Sequence, residues 1–149
     1  IQLSGYTEDE KVEIAKRHLL PKVQEAHGLK DAEFVVTDEG LRDVIRFYTR
    51  EAGVRTLERE LAKLARKSLR RILEGKTAGI AVTPEVVGEL LGVRRFRFGV
   101  GEVEDQIGAT TGLAWTEVGG ELLTIEAVTV AGKGQIKTTG KLGDVMQES

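Results

Sequence analysis

Between residues 55 and 75, Leu57, Leu61, Leu64, Ser68, Leu69 and Ile72 recur at helical spacing in a segment otherwise dense with Arg, Lys and Glu. A stripe of that period can be buried only as one face of an α-helix lying against other apolar surface. Beyond residue 108 the helical period is gone. Leu113–Thr116, Leu122–Val130 and Gln135–Thr139 are rich in β-branched side chains and broken by glycines, and they read as strands. One change of period along 149 residues predicts an α+β chain: a small helical bundle first, a β-rich part after it.

The rest of the first half supports the bundle. Thr7-Glu-Asp-Glu10 is a capping box that starts a helix carrying Val12, Ala15, Leu19 and Leu20, with a kink or restart at Pro21 and an end at Gly28. Glu33–Val36 is a short strand candidate. Thr37 caps a helix with Leu41, Val44, Ile45 and Tyr48 on one face, Gly53 interrupts, and Gly75 closes the long helix that follows. Ile80–Val82 is a second strand candidate, then Thr83 caps a helix with Pro84 at its first position and Gly92 after its last. The basic and aromatic run Val93–Phe98 and the acidic, Gly-bearing run to Gly108 read as a linker. Near the end, Leu142, Val145 and Met146 open an amphipathic helix that has no room to complete its face, so the chain is expected to be a piece of something longer.

Charge is unevenly spread. Residues 1–40 carry 5 basic and 9 acidic side chains, residues 41–76 carry 11 and 5, and residues 77–149 carry 6 and 10. The basic island needs an explanation, and Arg59, Lys63, Arg66 and Arg70 form a stripe along the long helix that Lys67 and Arg71 widen. Such a face suits phosphate backbone, or it is a solvated surface paired with acidic neighbours. No aromatic interleaves the charges, so any nucleic-acid binding through helix 55–71 would be sequence-nonspecific. The absence of Cys excludes thiol chemistry and Cys-based metal sites, and no run is long and apolar enough to span a membrane. A composition with no Asn, one Met and abundant Arg and Glu leans towards a thermophilic source.

Few residues here can carry chemistry. Ser4, Ser68 and Ser149 are the only serines and His18 and His27 the only histidines, with no carboxylate at a telling spacing, so no nucleophile–base pair is expected. Gly134–Lys141 misses a phosphate-loop spacing by one and has Leu142 where a hydroxyl belongs. Arg55 is different: it follows a glycine break at the first turn of the long helix, where a planar guanidinium can face a cleft and take phosphate oxygens. The bland alternative is a surface pairing with Glu51 or Glu58.

Four strings then stand in order: Gly5-Tyr-Thr-x-x-Glu-Lys11, Arg50–Glu60, the hairpin Gly112-Leu-Ala-Trp-Thr-Glu-Val-Gly-Gly-Glu-Leu-Leu-Thr-Ile-Glu126, and Gly143-Asp-Val-Met-Gln-Glu-Ser149. Together they resemble the Lon family of AAA+ ATP-dependent serine proteases. The resemblance implies a small helical (sensor-2) ATPase subdomain at 1–92, a linker at 93–108, and the N-terminal part of the proteolytic domain at 109–149, ahead of the catalytic Ser-Lys dyad. It implies a cytoplasmic, homohexameric parent that uses ATP and Mg²⁺ to unfold and degrade misfolded and regulatory proteins. This stretch, by the same resemblance, couples ATPase to protease and is inactive alone, binding neither cofactor by itself. Arg55 matches the sensor-2 arginine near the terminal phosphates of ATP. Trp115 and Thr116 match positions bordering the substrate groove, and Glu126 an acidic position near the dyad. The family's association with DNA adds weight to the basic stripe as the competing reading.

Overall fold

A computed structural model describes residues 5–96, 107–116 and 119–140, and of Trp115, Thr116 and Glu121 it describes the backbone alone. The first helix, α1 (Glu8–Ile14), begins as the capping box requires: Thr7 Oγ1 accepts the Glu10 N–H at 3.3 Å and the Glu10 carboxylate accepts the Thr7 N–H at 2.7 Å. Pro21 acts on the backbone before it. The chain widens into a π turn at Ala15–Leu19, where the Leu20 N–H reaches back five residues to the Ala15 carbonyl, and then continues as α2 (Leu20–His27). Pro21 brings no N–H, and its ring crowds the carbonyl four residues earlier, so a wider turn accommodates it. Gly28 ends α2 in the left-handed region at φ 63°.

The strand β1 (Phe34–Val36) leads into α3 (Asp38–Tyr48), whose first turn is capped by Thr37 Oγ1 accepting the Gly40 N–H at 3.0 Å. After the loop of residues 49–54 comes α4 (Arg55–Leu73), then β2 (Ile80–Val82) and α5 (Pro84–Leu91). The two strands pair in parallel, Phe34 opposite Ile80 and Val36 opposite Val82. Gly40 lets α3 lie against that pair: a Cβ there would come within 2.3 Å of the Val82 carbonyl oxygen. Thr83 sits at the N-cap of α5 but its hydroxyl caps nothing. It bonds the Glu85 carboxylate instead, which holds that carboxyl below its ordinary range.

The apolar stripes meet in one core. Leu41, Val44 and Tyr48 of α3, Leu57, Leu61 and Leu64 of α4, Val82 of β2 and Val87 of α5 are essentially removed from solvent together with Phe34. Ser68 is buried on the α4 stripe, where its position within the leucine period puts it. Outside the core, α1 and α3 are tied by charge: Arg46 makes two hydrogen bonds to Glu8, at 2.7 and 2.8 Å, while Arg42 bonds Glu8 and also Asp9 at 2.7 Å.

The β part differs from expectation at its edges. Strands β3 (Ala109–Thr116) and β4 (Gly119–Glu126) pair antiparallel, Ala109 opposite Glu126 and Thr116 opposite Gly119. So β3 starts four residues before Leu113, and β4 stops at Glu126 rather than Val130. Gln135–Thr139 is not a strand. Glycines flank it at 134 and 140, and it has no neighbouring strand to pair with among the described residues, which a β segment needs to satisfy its backbone. The expected helix at Leu142, Val145 and Met146 lies outside the described residues, as do the middle of the expected linker and the hairpin turn.

Candidate functional site

The loop of residues 49–54 delivers α4, and the acids beside this helix start, Glu51 and Glu58, are already committed. Both Glu51 carboxylate oxygens cap the helix, accepting the Thr56 N–H at 2.9 Å and the Leu57 N–H at 2.8 Å. The loop is fixed from beneath: the Lys11 ammonium donates to the Glu51 carbonyl, and the Tyr6 N–H donates to the Ala52 carbonyl at 2.9 Å. Burial pushes the Lys11 ammonium below the usual lysine range, partly offset by the Glu51 charge. Glu58, one turn into α4, pairs with Lys22 at 2.7 Å.

Arg55 is therefore left over. It is exposed at the first position of α4, and it makes no ion pair or hydrogen bond among the described residues. The ordinary surface pairing with Glu51 or Glu58 does not occur, because one acid serves the helix end and the other serves Lys22. What the arrangement offers is a guanidinium on a rigid helix start, held by a capped and anchored loop and open to an anionic ligand. Among the described residues no group of three His, Asp or Glu side chains converges as a metal site.

The basic stripe splits into two sets. Lys63 pairs with the buried Glu60 at 2.7 Å, Arg70 with Glu74 at 2.7 Å, Arg71 with Glu89 at 3.1 Å, and Lys67 donates to the Leu90 carbonyl. Arg70 and a neighbouring lysine, Lys76, hold the Glu74 carboxyl down at about 2, Lys76 being the larger influence. Arg59 and Arg66 make no such bond among the described residues and are exposed. They stand four and eleven positions after Arg55, on one side of α4.

Of the positions singled out in the hairpin, Glu126 is exposed at the end of β4, and Trp115 and Thr116 lie at the end of β3 opposite Gly120 and Gly119. No described element brings them to Arg55.

Sequence reasoning missed a second cluster, where the helical body ends. Val93–Phe96, expected to open a linker, is docked on the C-terminal half of α3. Arg94 pairs with Asp43 at 2.5 Å and lies 3.9 Å over the Phe47 ring, while Arg95 pairs with Glu60 at 3.1 Å. The Phe47 carbonyl accepts two amides, from Arg95 at 2.9 Å and Phe96 at 3.1 Å, and Tyr48 Oη donates to the Gly92 carbonyl at 2.6 Å. Burial, then the Asp43 charge, pushes the Tyr48 phenol above its ordinary value. The available signal was a pair of acids, Asp43 and Glu60, inside otherwise apolar helix faces.

Residues 25–80 match the Lon protease AAA+ ATPase lid domain, and residues 81–149 match the Lon protease (S16) C-terminal proteolytic domain. The division between the two matches falls inside β2, within the packed body. The chain is 62% identical over 151 aligned positions to a Lon protease of Azospirillum brasilense, covering all of this chain and 19% of that protein. It is 59% identical to one of Brucella abortus biovar 1 (strain 9-941), covering all of this chain and 18% of that protein. The chain thus spans about a fifth of the length of these relatives. It is also similar to the solved SSD domain of Bacillus subtilis Lon protease, with a TM-score of 0.52 and 47% identity over 64% of this chain and 100% of that one.

Proposed function

Since the chain belongs to the Lon protease family, we propose that it is the lid-to-protease portion of an ATP-dependent serine endopeptidase, and that Arg55 is its nucleotide-sensing residue. The single observation that carries this reading is the exposed Arg55, without a partner among the described residues, on a helix start whose own acids are engaged elsewhere. In this reading the helical body, counted through its docked segment 93–96, is the small ATPase subdomain, and the residues from 109 onward belong to the proteolytic domain. The Arg55 guanidinium fits the terminal phosphates of ATP, whose charge grows at the oxygens it would face. ATP supplies hydrolysable phosphoanhydride energy. The phosphate loop, the Mg²⁺ ligands and the Ser-Lys dyad belong to other parts of a cytoplasmic homohexamer acting on unfolded protein. Trp115 and Thr116 are assigned, by family likeness, to the border of the substrate groove, and Glu126 to the neighbourhood of the dyad.

The test is Arg55→Ala in the complete protease. ATP hydrolysis should fall about tenfold or more while the fold is kept, and Arg55→Lys should restore little, because an ammonium lacks the fork. Unchanged ATP hydrolysis would sink the assignment. Incubated alone with ATP and an unfolded protein, the 149-residue chain should release neither phosphate nor peptides.

One observation favours a second reading. Arg55, Arg59 and Arg66 form an exposed row on a single side of α4, without partners among the described residues and suited to sequence-nonspecific contact with duplex DNA. A gel shift across a salt series tests it: binding should weaken steeply with salt, and Arg59→Ala/Arg66→Ala should lower the slope by about two. No shift at low salt removes this reading.

A further inference from the structure

Charge is seldom buried without reason, and Asp43 and Glu60 are both nearly closed to solvent, at 6% and 2% exposure. Each faces a guanidinium from the segment just after α5, Glu60 sharing the same oxygen with Lys63 of α4, and each keeps a second carboxylate oxygen, Asp43 Oδ2 and Glu60 Oε2, without a hydrogen bond among the described residues. A helix bundle gains nothing in packing from two half-satisfied carboxylates. They make sense as fixed sockets for what docks on them. The docking is also over-determined: two ion pairs, a ring under the Arg94 guanidinium, two amides on the Phe47 carbonyl and the Tyr48 hydroxyl on the Gly92 carbonyl all act within five residues. Arg94 and Arg95 use opposite anchors, one on α3 and one on α4, so the segment cannot pivot about either helix alone.

We propose that Gly92–Phe96 is a charge-latched strap, and that Asp43 and Glu60 are positioning residues that fix the direction in which the chain leaves the helical body. A strap held on two helices moves with them as one piece. Rotation of the body is then passed to the residues that follow instead of being absorbed by a slack linker. This transmission role rests on the ATPase–protease reading above; the latch itself does not.

Two measurements separate them. In the 149-residue chain, the Arg95 and Phe96 amides should exchange slowly with solvent. In Arg94→Gln/Arg95→Gln both should exchange about tenfold faster, while the Leu64 amide in the α4 core is unchanged. These arginines are half exposed, so their replacement leaves the core intact; Glu60→Gln, which keeps the shape and removes the charge, should speed the same two amides. Exchange in the double variant no faster than in the parent chain overturns the latch. In the complete protease, the double variant should hydrolyse ATP within about twofold of the parent but degrade unfolded protein at least about fivefold less per ATP consumed. An unchanged ratio overturns the transmission role. A complete protein with no ATP hydrolysis even before substitution overturns the family-based reading and leaves the exchange result standing.

Discussion

Glu51 decides what Arg55 is free to do. Because both carboxylate oxygens accept backbone amides of α4, Glu51→Ala strips two caps and should destabilise the body by about 1–2 kcal/mol in urea unfolding. Ser68 predicts the opposite sign. Its hydroxyl oxygen is buried with no hydrogen bond among the described residues, so Ser68→Ala removes a desolvated polar atom and should leave stability unchanged or raise it by up to about 1 kcal/mol in the same assay. A loss near 2 kcal/mol would mean that the hydroxyl has a partner. At this scale the sequence was a partial guide. The position of Ser68 on a leucine stripe forecast its burial, and the helix start placed Arg55. That neither Glu51 nor Glu58 pairs with Arg55 could not be read, since it depends on Glu51 folding back onto amides five and six residues away and on Lys22 arriving from α2.

Helices were legible because each carries its own signal within a few turns: the capping box at Thr7, the cap at Thr37, the glycine after α2. The strand pairing was not legible, because three-residue strands leave no period to read and parallel partners lie far apart in sequence. Gly40 is where helix and sheet depend on each other. Gly40→Ala would set a methyl 2.3 Å from the Val82 carbonyl, so α3 or β2 must shift, and a loss of more than about 2 kcal/mol is expected in denaturant unfolding. The α1–α3 contact carries a pH signature. Burial works to raise the Glu8 carboxyl, but Arg46 and Arg42 outweigh it and hold it below its ordinary 4.5. A carboxyl depressed in the folded state stabilises above its unfolded value and loses that contribution as pH falls through the folded one. Melting temperature should therefore drop below about pH 4.5, and Glu8→Gln should shallow that decline; an identical pH profile would remove Glu8 from the account.

Among the described residues, the body's apolar core draws its buried side chains from residues 12–90 and none from the hairpin. A chain ending after Phe96 should accordingly keep its helical circular dichroism, with a denaturant midpoint unchanged within error. The hairpin stands in contrast: Leu113 is 85% exposed and Ile125 52% exposed, so two strands alone leave their apolar side chains in water. The sequence's change of period forecast helices first and strands after them. Arg94 and Arg95 look like linker charges until Asp43 and Glu60 are found buried beneath them. The parallel strands bear on something else as well, the speed of folding. Each helix closes its hydrogen bonds within a few residues and can form on the microsecond scale, whereas β1 and β2 must meet across the whole span of α3 and α4. That pairing joins the other sequence-distant contacts of the body, α2 with α4 and α3 with α5, in closing long loops, so the body should reach its native state more slowly than its helices form.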